Sequence, residues 1–200
     1  MSRGLSSSID SELSDKWRRG PGIFVVTDVR GDVGERIQQI QRRYDPKLAN
    51  YLPPHITLAG SSGVGPIDAS TDRVILRDVM EEIAETTAPL SLKFGAPIRF
   101  MQTDIIVLPL DPHGALRELH ERIARSGLSF QAARFAFTPH VTLSFFRTLT
   151  AEMRRELLAI REDGFFELDH IRCSLTDEPM PPRAIFELPL TGARGEANDR

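Results

Sequence analysis

The pattern Pro-His-x-Thr-Leu occurs twice, as "PPHITLAG" over residues 53–60 and as "TPHVTLSF" over residues 138–145. Both copies read as strand starts: apolar and polar residues alternate, and a proline without an N–H suits the first position of a strand. Side chains alternate faces along a strand, so Ile56 and Leu58 point into a core while His55 and Thr57 share the opposite face. Val141, Leu143, His140 and Thr142 repeat that division. The chain must therefore build two half-buried strands, distant in sequence, each presenting an imidazole and a hydroxyl on one side.

The order of elements around the two copies also repeats. "GIFVVTDV" (22–29) reads as a strand, and "GDVGERIQQIQRRYD" places Val33, Ile37, Ile40 and Tyr44 at helical spacing. The loop "PKLANYLPP" then leads into the first motif strand. A helix over "STDRVILRDVMEEIAETTA", capped by Ser70 or Thr71 and with Val74, Val79 and Ile83 in its apolar stripe, closes the first half at Pro89. The second half opens with adjacent strands in "LSLKFGAPIRF" and "DIIVLPL". It continues with a helix from Pro112 to Gly127 and reaches the second motif. A helix over 150–162 capped by Thr150, and final strands in "FFELDHIRCSL" and "AIFELPL", complete an α+β chain of two similar lobes. Residues 1–20 and 192–200, rich in polar residues and glycine, read as flexible ends around a single domain over 21–191.

A net charge of -3 and a pI near 6.0 disfavour a protein that coats nucleic acid through a global cationic field. Cys173 is the only cysteine, so no internal disulfide forms, and it reads as structural. No apolar run reaches the roughly 18 residues of a membrane span, and the N-terminus lacks the apolar centre of a secretory signal, so a cytoplasmic address is expected. There is no GxxxxGK[ST] run and ATP dependence is not expected. His113 and His120, with Glu118 and Glu121, read as a solvated helix face rather than a metal site, and His170 as a surface or lobe-packing residue.

Two imidazoles with ordinary pKa values near 6.5 suit acid–base work at phosphorus, one taking a proton from a nucleophile and the other giving one to the leaving oxygen. Threonine hydroxyls can donate to the non-bridging phosphate oxygens. In-line displacement needs acid and base on opposite sides of the group, which two facing lobes provide.

With these residues in view, the sequence resembles the 2H phosphoesterase superfamily, which includes bacterial 2'-5' RNA ligase-like proteins and plant-type cyclic phosphodiesterases. The resemblance rests on "HIT" at 55–57, "HVT" at 140–142 and the element order over about residues 21–190. It implies a bilobal fold with antiparallel sheets lining a central cleft and helices outside. It further implies metal-independent, cofactor-free action on 2',3'-cyclic or related phosphodiesters, or on 2'-5' linkages of RNA ends or nucleotides. By that resemblance His55 and His140 form the acid–base pair, with neither role assigned, and Thr57 and Thr142 bind phosphate. Further substrate-binding candidates are Tyr51, Phe145 and Phe146 for stacking on a base, Ser144 by its shared parity with Thr142, and Arg147. Where some bacterial members carry a basic residue five positions after the second histidine, this chain has Phe145. "GSSGVG" (60–65) reads mainly as a connection. The rival readings are a nucleotide or RNA-end binding module without turnover, and an adaptor domain; no membrane or obligate protein partner is expected.

Overall fold

The computed structural model describes residues 20–100, 103–133, 135–177 and 181–193, so the expectations for segments 1–19 and 194–200 fall outside the described residues. Strand β1 (Gly22–Asp28) is followed by helix α1 (Gly31–Tyr44), short helix α2 (Pro46–Tyr51), β2 (His55–Ala59), β3 (Ile67–Asp68) and α3 (Arg73–Glu85). The second half runs β4 (Leu90–Lys93), β5 (Ile98–Arg99), β6 (Ile106–Pro109), α4 (Gly114–Ala124), β7 (His140–Ser144), α5 (Ala151–Ala159) and β8 (Phe165–Leu168). The last strands are β9 (His170–Thr176) and β10 (Arg183–Pro189).

All named strand pairs are antiparallel, as the family resemblance implied. One sheet has the order β10-β9-β1-β2, with β3 continuing along β1. In the other half β5-β6-β7 form a sheet and β8 pairs with β4, whose continuation at Phe94 bridges Leu110 beyond β6. Among the described residues each motif strand thus lies at an edge, paired to the strand before the helix of its own half. A single core cluster runs through both halves, with Ile56, Leu58, Val141 and Leu143 all fully buried.

The helices cross over. Helix α1 follows β1 but packs on β7, and α4 follows β6 but packs on β2. Apolar residues at helical spacing explain why: Val33 and Ile37 of α1 and Leu116, Leu119 and Ile123 of α4 supply buried faces that each half alone cannot cover. The connection 60–65 joins this bracing. Gly63 N–H donates to the Phe135 carbonyl at 2.8 Å. At Gly65 a Cβ would stand 1.9 Å from the Gln131 carbonyl oxygen, a close approach that admits only glycine.

Several expectations are corrected. Helix α3 is capped by Asp72, not Ser70 or Thr71: its carboxylate accepts from Val74 N–H at 2.8 Å and Ile75 N–H at 3.2 Å. With the start fixed there, the buried stripe is Leu76, Met80, Ile83 and Ala84, and Val74 stands 66% exposed. Helix α4 starts at Gly114 with His113 as its cap position, two residues after Pro112. "PKLANY" is a helix rather than loop, since Asp45 accepts from Leu48 N–H and proline occupies the first turn. "FFELDHIRCSL" is not one strand: β8 and β9 join different sheets on either side of Asp169. Gly192, assigned to the loose C-terminal segment, donates to the Thr87 carbonyl at 3.0 Å. Thr150 caps α5 as expected, accepting from Met153 N–H at 3.2 Å. No helix among the described residues is long and apolar enough to cross a membrane.

Because each motif strand carries its core residues under a helix from the opposite half, Leu58→Ala and Leu143→Ala should each cost roughly 2–5 kcal/mol. Denaturant unfolding of either variant should remain a single transition; two separable transitions would show that the halves do not brace one another.

Candidate active site

The pairing register makes the two motif strands near copies. Asp28 faces His55, Thr27 faces Ile56 and Val26 faces Thr57, after which the register shifts and Val25 faces Ala59. On the other side Pro109 faces His140, Leu108 faces Val141, Val107 faces Thr142, and after the same shift Ile106 faces Ser144. A bulge at Leu58 and at Leu143 leaves one residue extra on each motif strand. β2 and β7 approach within 8 Å between Cα atoms without pairing. His55, Thr57, His140 and Thr142 are all half-buried on the faces opposite the core.

Both imidazoles are oriented in the same way. His55 Nδ1 lies 2.9 Å from the Pro53 carbonyl oxygen, and His140 Nδ1 lies 2.6 Å from that of Thr138. A carbonyl only accepts, so each Nδ1 carries a hydrogen and each neutral ring keeps its lone pair on Nε2, the opposite edge. Burial pushes both histidines below their ordinary value of 6.5, and the backbone carbonyls pull in the other direction; His140 is pushed down further by His55. Phe100 meets His140 edge to face, with ring centres 5.2 Å apart.

Of the other candidates, the structure gathers three. Tyr51 on α2 and Phe146 after β7 make an edge-to-face pair at 5.7 Å, and Phe145 joins Phe146 at 4.9 Å. Lys47 Nζ stands 4.3 Å over the Phe146 ring. Phe145 and Phe146 are 51% and 39% exposed, so this is an open aromatic rim with a cation beside it. Arg147 is exposed and donates to the Tyr44 carbonyl at 3.4 Å, toward the end of α1. Ser144 does not share the face of Thr142. The bulge moves it opposite Ile106, a core position, and it is fully buried.

Four supporting residues escaped the sequence reading or were misplaced by it. Gln41 of α1 donates from Nε2 to the Thr142 carbonyl at 2.8 Å. His120 of α4 is buried rather than on a solvated face: its ring stacks on Phe137 at 3.9 Å and its Nδ1 donates to the Leu58 carbonyl at 2.7 Å. Those two bonds take up carbonyls beside the two bulges, each from the opposite half. Asp45 is buried and uses both carboxylate oxygens, one accepting from Leu48 N–H at 3.1 Å and the other from the N–H groups of Phe145 and Phe146, each at 2.7 Å. It thereby joins Tyr51's helix to the aromatic rim. The Asp-Pro start of α2 was the readable signal for it. His170 is also buried, which excludes the surface alternative and leaves the packing one; its Nε2 accepts from the Asp28 N–H at 3.2 Å and its Nδ1 donates to Asp169 at 2.7 Å.

Asp28, His170 and Glu187 form a cluster whose donor atoms could hold a cation. Their partners are protein groups: Arg172 Nη2 binds Asp28 at 2.5 Å and Arg30 binds Glu187 at 2.7 Å. The neighbouring Cys173 is buried, its thiol pushed up to about 12 by burial, and it stays protonated.

A family model described as the 2'-5' RNA ligase superfamily matches residues 29–177. A protein of Geobacillus kaustophilus that carries a phosphoesterase name is 33% identical over 105 residues, 52% of this chain and 57% of its own length. A second, from Geobacillus thermodenitrificans, is 35% identical over 107 residues with the same coverage. The chain thus spans little more than half the length of these curated relatives. Among solved structures, TT0787 of Thermus thermophilus superposes with a TM-score of 0.61 at 10% identity, covering 86% of this chain and 100% of that one. LigT of E. coli, crystallised with 3'-AMP, gives 0.54 at 17% identity, covering 86% and 99%. At such identities the likeness is one of fold.

Asp45→Ala would strand three backbone N–H groups, each costing about 1–3 kcal/mol where it is buried. We expect a lowered denaturant midpoint and faster proteolysis near residues 145–147; an unchanged midpoint would mean that the carboxylate does not organise the rim.

Proposed function

The chain belongs to the 2'-5' RNA ligase superfamily, and on that premise we propose that it is a metal-independent phosphoesterase opening 2',3'-cyclic or related phosphodiesters of nucleotides or RNA ends. The observation that carries this reading is the matched pair of imidazoles. Each has Nδ1 held by a carbonyl two residues earlier in the chain and Nε2 left for chemistry. One Nε2 takes the proton of a water whose oxygen bonds to phosphorus. The other donates its proton as the bond from phosphorus to a ribose oxygen breaks, giving a phosphomonoester. Thr57 and Thr142, two residues from each histidine on the same faces, donate to the non-bridging oxygens where charge gathers.

The aromatic rim suits a nucleobase. Tyr51, Phe145 and Phe146 offer ring faces and edges, with Lys47 adding a cation over the Phe146 ring. LigT, the structural neighbour from E. coli, has been crystallised with 3'-AMP, NADP+ and ATP, which supports a nucleotide as the ligand class. The phosphoesterase names of the Geobacillus relatives point the same way. A cytoplasmic site of action fits a substrate of this kind.

Hydrolysis of 2',3'-cyclic nucleotides should persist in EDTA and fall by roughly 100- to 10,000-fold in His55→Ala or His140→Ala with circular dichroism unchanged. Binding without turnover across a panel of cyclic phosphates would instead mark a binding module. The pH profile follows from the direction of the two shifts. The rate falls toward acid as the base becomes protonated and toward alkali as the acid loses its proton. With both imidazoles below 6.5, kcat/KM should peak on the acid side of that value. Phe146→Ala should raise KM by about 10-fold, in line with roughly 1–3 kcal/mol per stacked base, and leave kcat nearly unchanged.

A further inference from the structure

The register that makes the motif strands alike also shows where they differ. Every position beside one histidine has a counterpart beside the other, and the residue directly across from His55 is Asp28 while the residue across from His140 is Pro109. Directly opposed residues of an antiparallel pair share a face, with Cβ atoms about 4.5–5.5 Å apart. A carboxylate therefore stands beside one imidazole and a pyrrolidine ring beside the other. Phe100, edge to face with His140 at 5.2 Å, deepens the contrast.

Asp28 is held in place and kept ionised. Arg172 on β9 binds its Oδ1 at 2.5 Å, and its backbone N–H donates to His170 Nε2. Burial opposes its charge, but His170 and Arg172 outweigh burial and hold the carboxyl below its ordinary value. The charged groups around His55 are Asp28 on β1, Arg172 and His170 on β9, the Arg30–Glu187 pair at the end of that sheet, and His140 on β7. Arg30 and Glu187 offset one another at 2.7 Å. Arg172 lies on β9, beyond β1 from His55, where it is opposed to Val26, and of the two charges Asp28 acts on His55 more strongly.

We propose that Asp28 divides the labour between the imidazoles, keeping the proton of the pair on His55 as general acid and leaving His140 neutral as general base. This rests on the phosphoesterase reading above and assigns the roles within it. His140 Nε2 takes the water proton as the oxygen–phosphorus bond forms. The ribose oxygen leaves with the electron pair of the broken bond and takes the proton of His55 Nε2. Exchange with solvent then returns a proton to His55 and removes one from His140. Asp28 touches no reacting atom; it is a positioning residue acting through His55.

Two measurements on the full chain test the assignment. In a titration of ¹⁵N-histidine-labelled protein followed by NMR, which needs no turnover, His55 should protonate at higher pH than His140, and Asp28→Asn should narrow or invert the gap. His140 protonating first in the wild type would overturn the proposal. In kinetics, Asp28→Asn should move the alkaline limb of kcat/KM toward acid by about one pH unit and leave the acidic limb in place. A 2',3'-cyclic nucleotide with sulfur at the leaving ribose position releases a thiolate that needs no acid. It should restore roughly 100-fold of the activity lost in His55→Ala and none of that lost in His140→Ala. Rescue of His140→Ala instead would reverse the roles while leaving the phosphoesterase reading intact. A wild type inert toward both the oxygen and the sulfur substrate would remove that reading and the acid role with it.

Discussion

Each half of this molecule finishes the other's motif strand. Helix α1 leaves the first half to cover β7 and reaches the Thr142 carbonyl through Gln41, while α4 leaves the second half to cover β2 and reaches the Leu58 carbonyl through His120. An edge strand with a bulge has backbone groups that its own sheet cannot pair, and buried carbonyls must find donors. The exchange of helices supplies those donors. It also ties the geometry of either histidine to the packing of both halves, so that two strands far apart in the chain are held at one separation.

The shared bulge has a second consequence. It lets His-x-Thr point outward from the core while the residues after it, Ala59 and Ser144, turn inward and are fully buried. The polar surface of each strand is thereby confined to one imidazole and one hydroxyl. Beyond the bulge of β7 the chain leaves the sheet at once, and Asp45 gathers the N–H groups of Phe145 and Phe146 so that both rings stand out beside Tyr51. The polar strip of β7 is thus followed directly along the chain by the aromatic rim.

Near-equivalence of the halves gives two similar imidazoles, but a displacement reaction needs two different ones. On the assignment proposed above, the difference comes from single residues across the ladder, Asp28 against Pro109, and from the charge network behind Asp28. His170 and Arg172, neither of them in a motif, both stand against this carboxylate. A duplicated architecture can in this way be made directional without altering either motif.

By itself the sequence determined most of the strands, the longer helices and the faces of the four motif residues, because those depend on periodicity and on local signals such as Thr150 at a helix start. Alternation along β2 and β7 is a short-range property, and so the burial of Ile56, Leu58, Val141 and Leu143 was readable directly. Only the tertiary structure decided which helix covers which strand, that His120 and His170 are interior, that Ser144 lies behind a bulge, and that "FFELDHIRCSL" divides between two sheets. These features arise from pairing register and packing between segments up to about a hundred residues apart, as with Gln41 and Thr142. No pattern within either segment encodes the position of the other, so the contact exists only once the chain has folded.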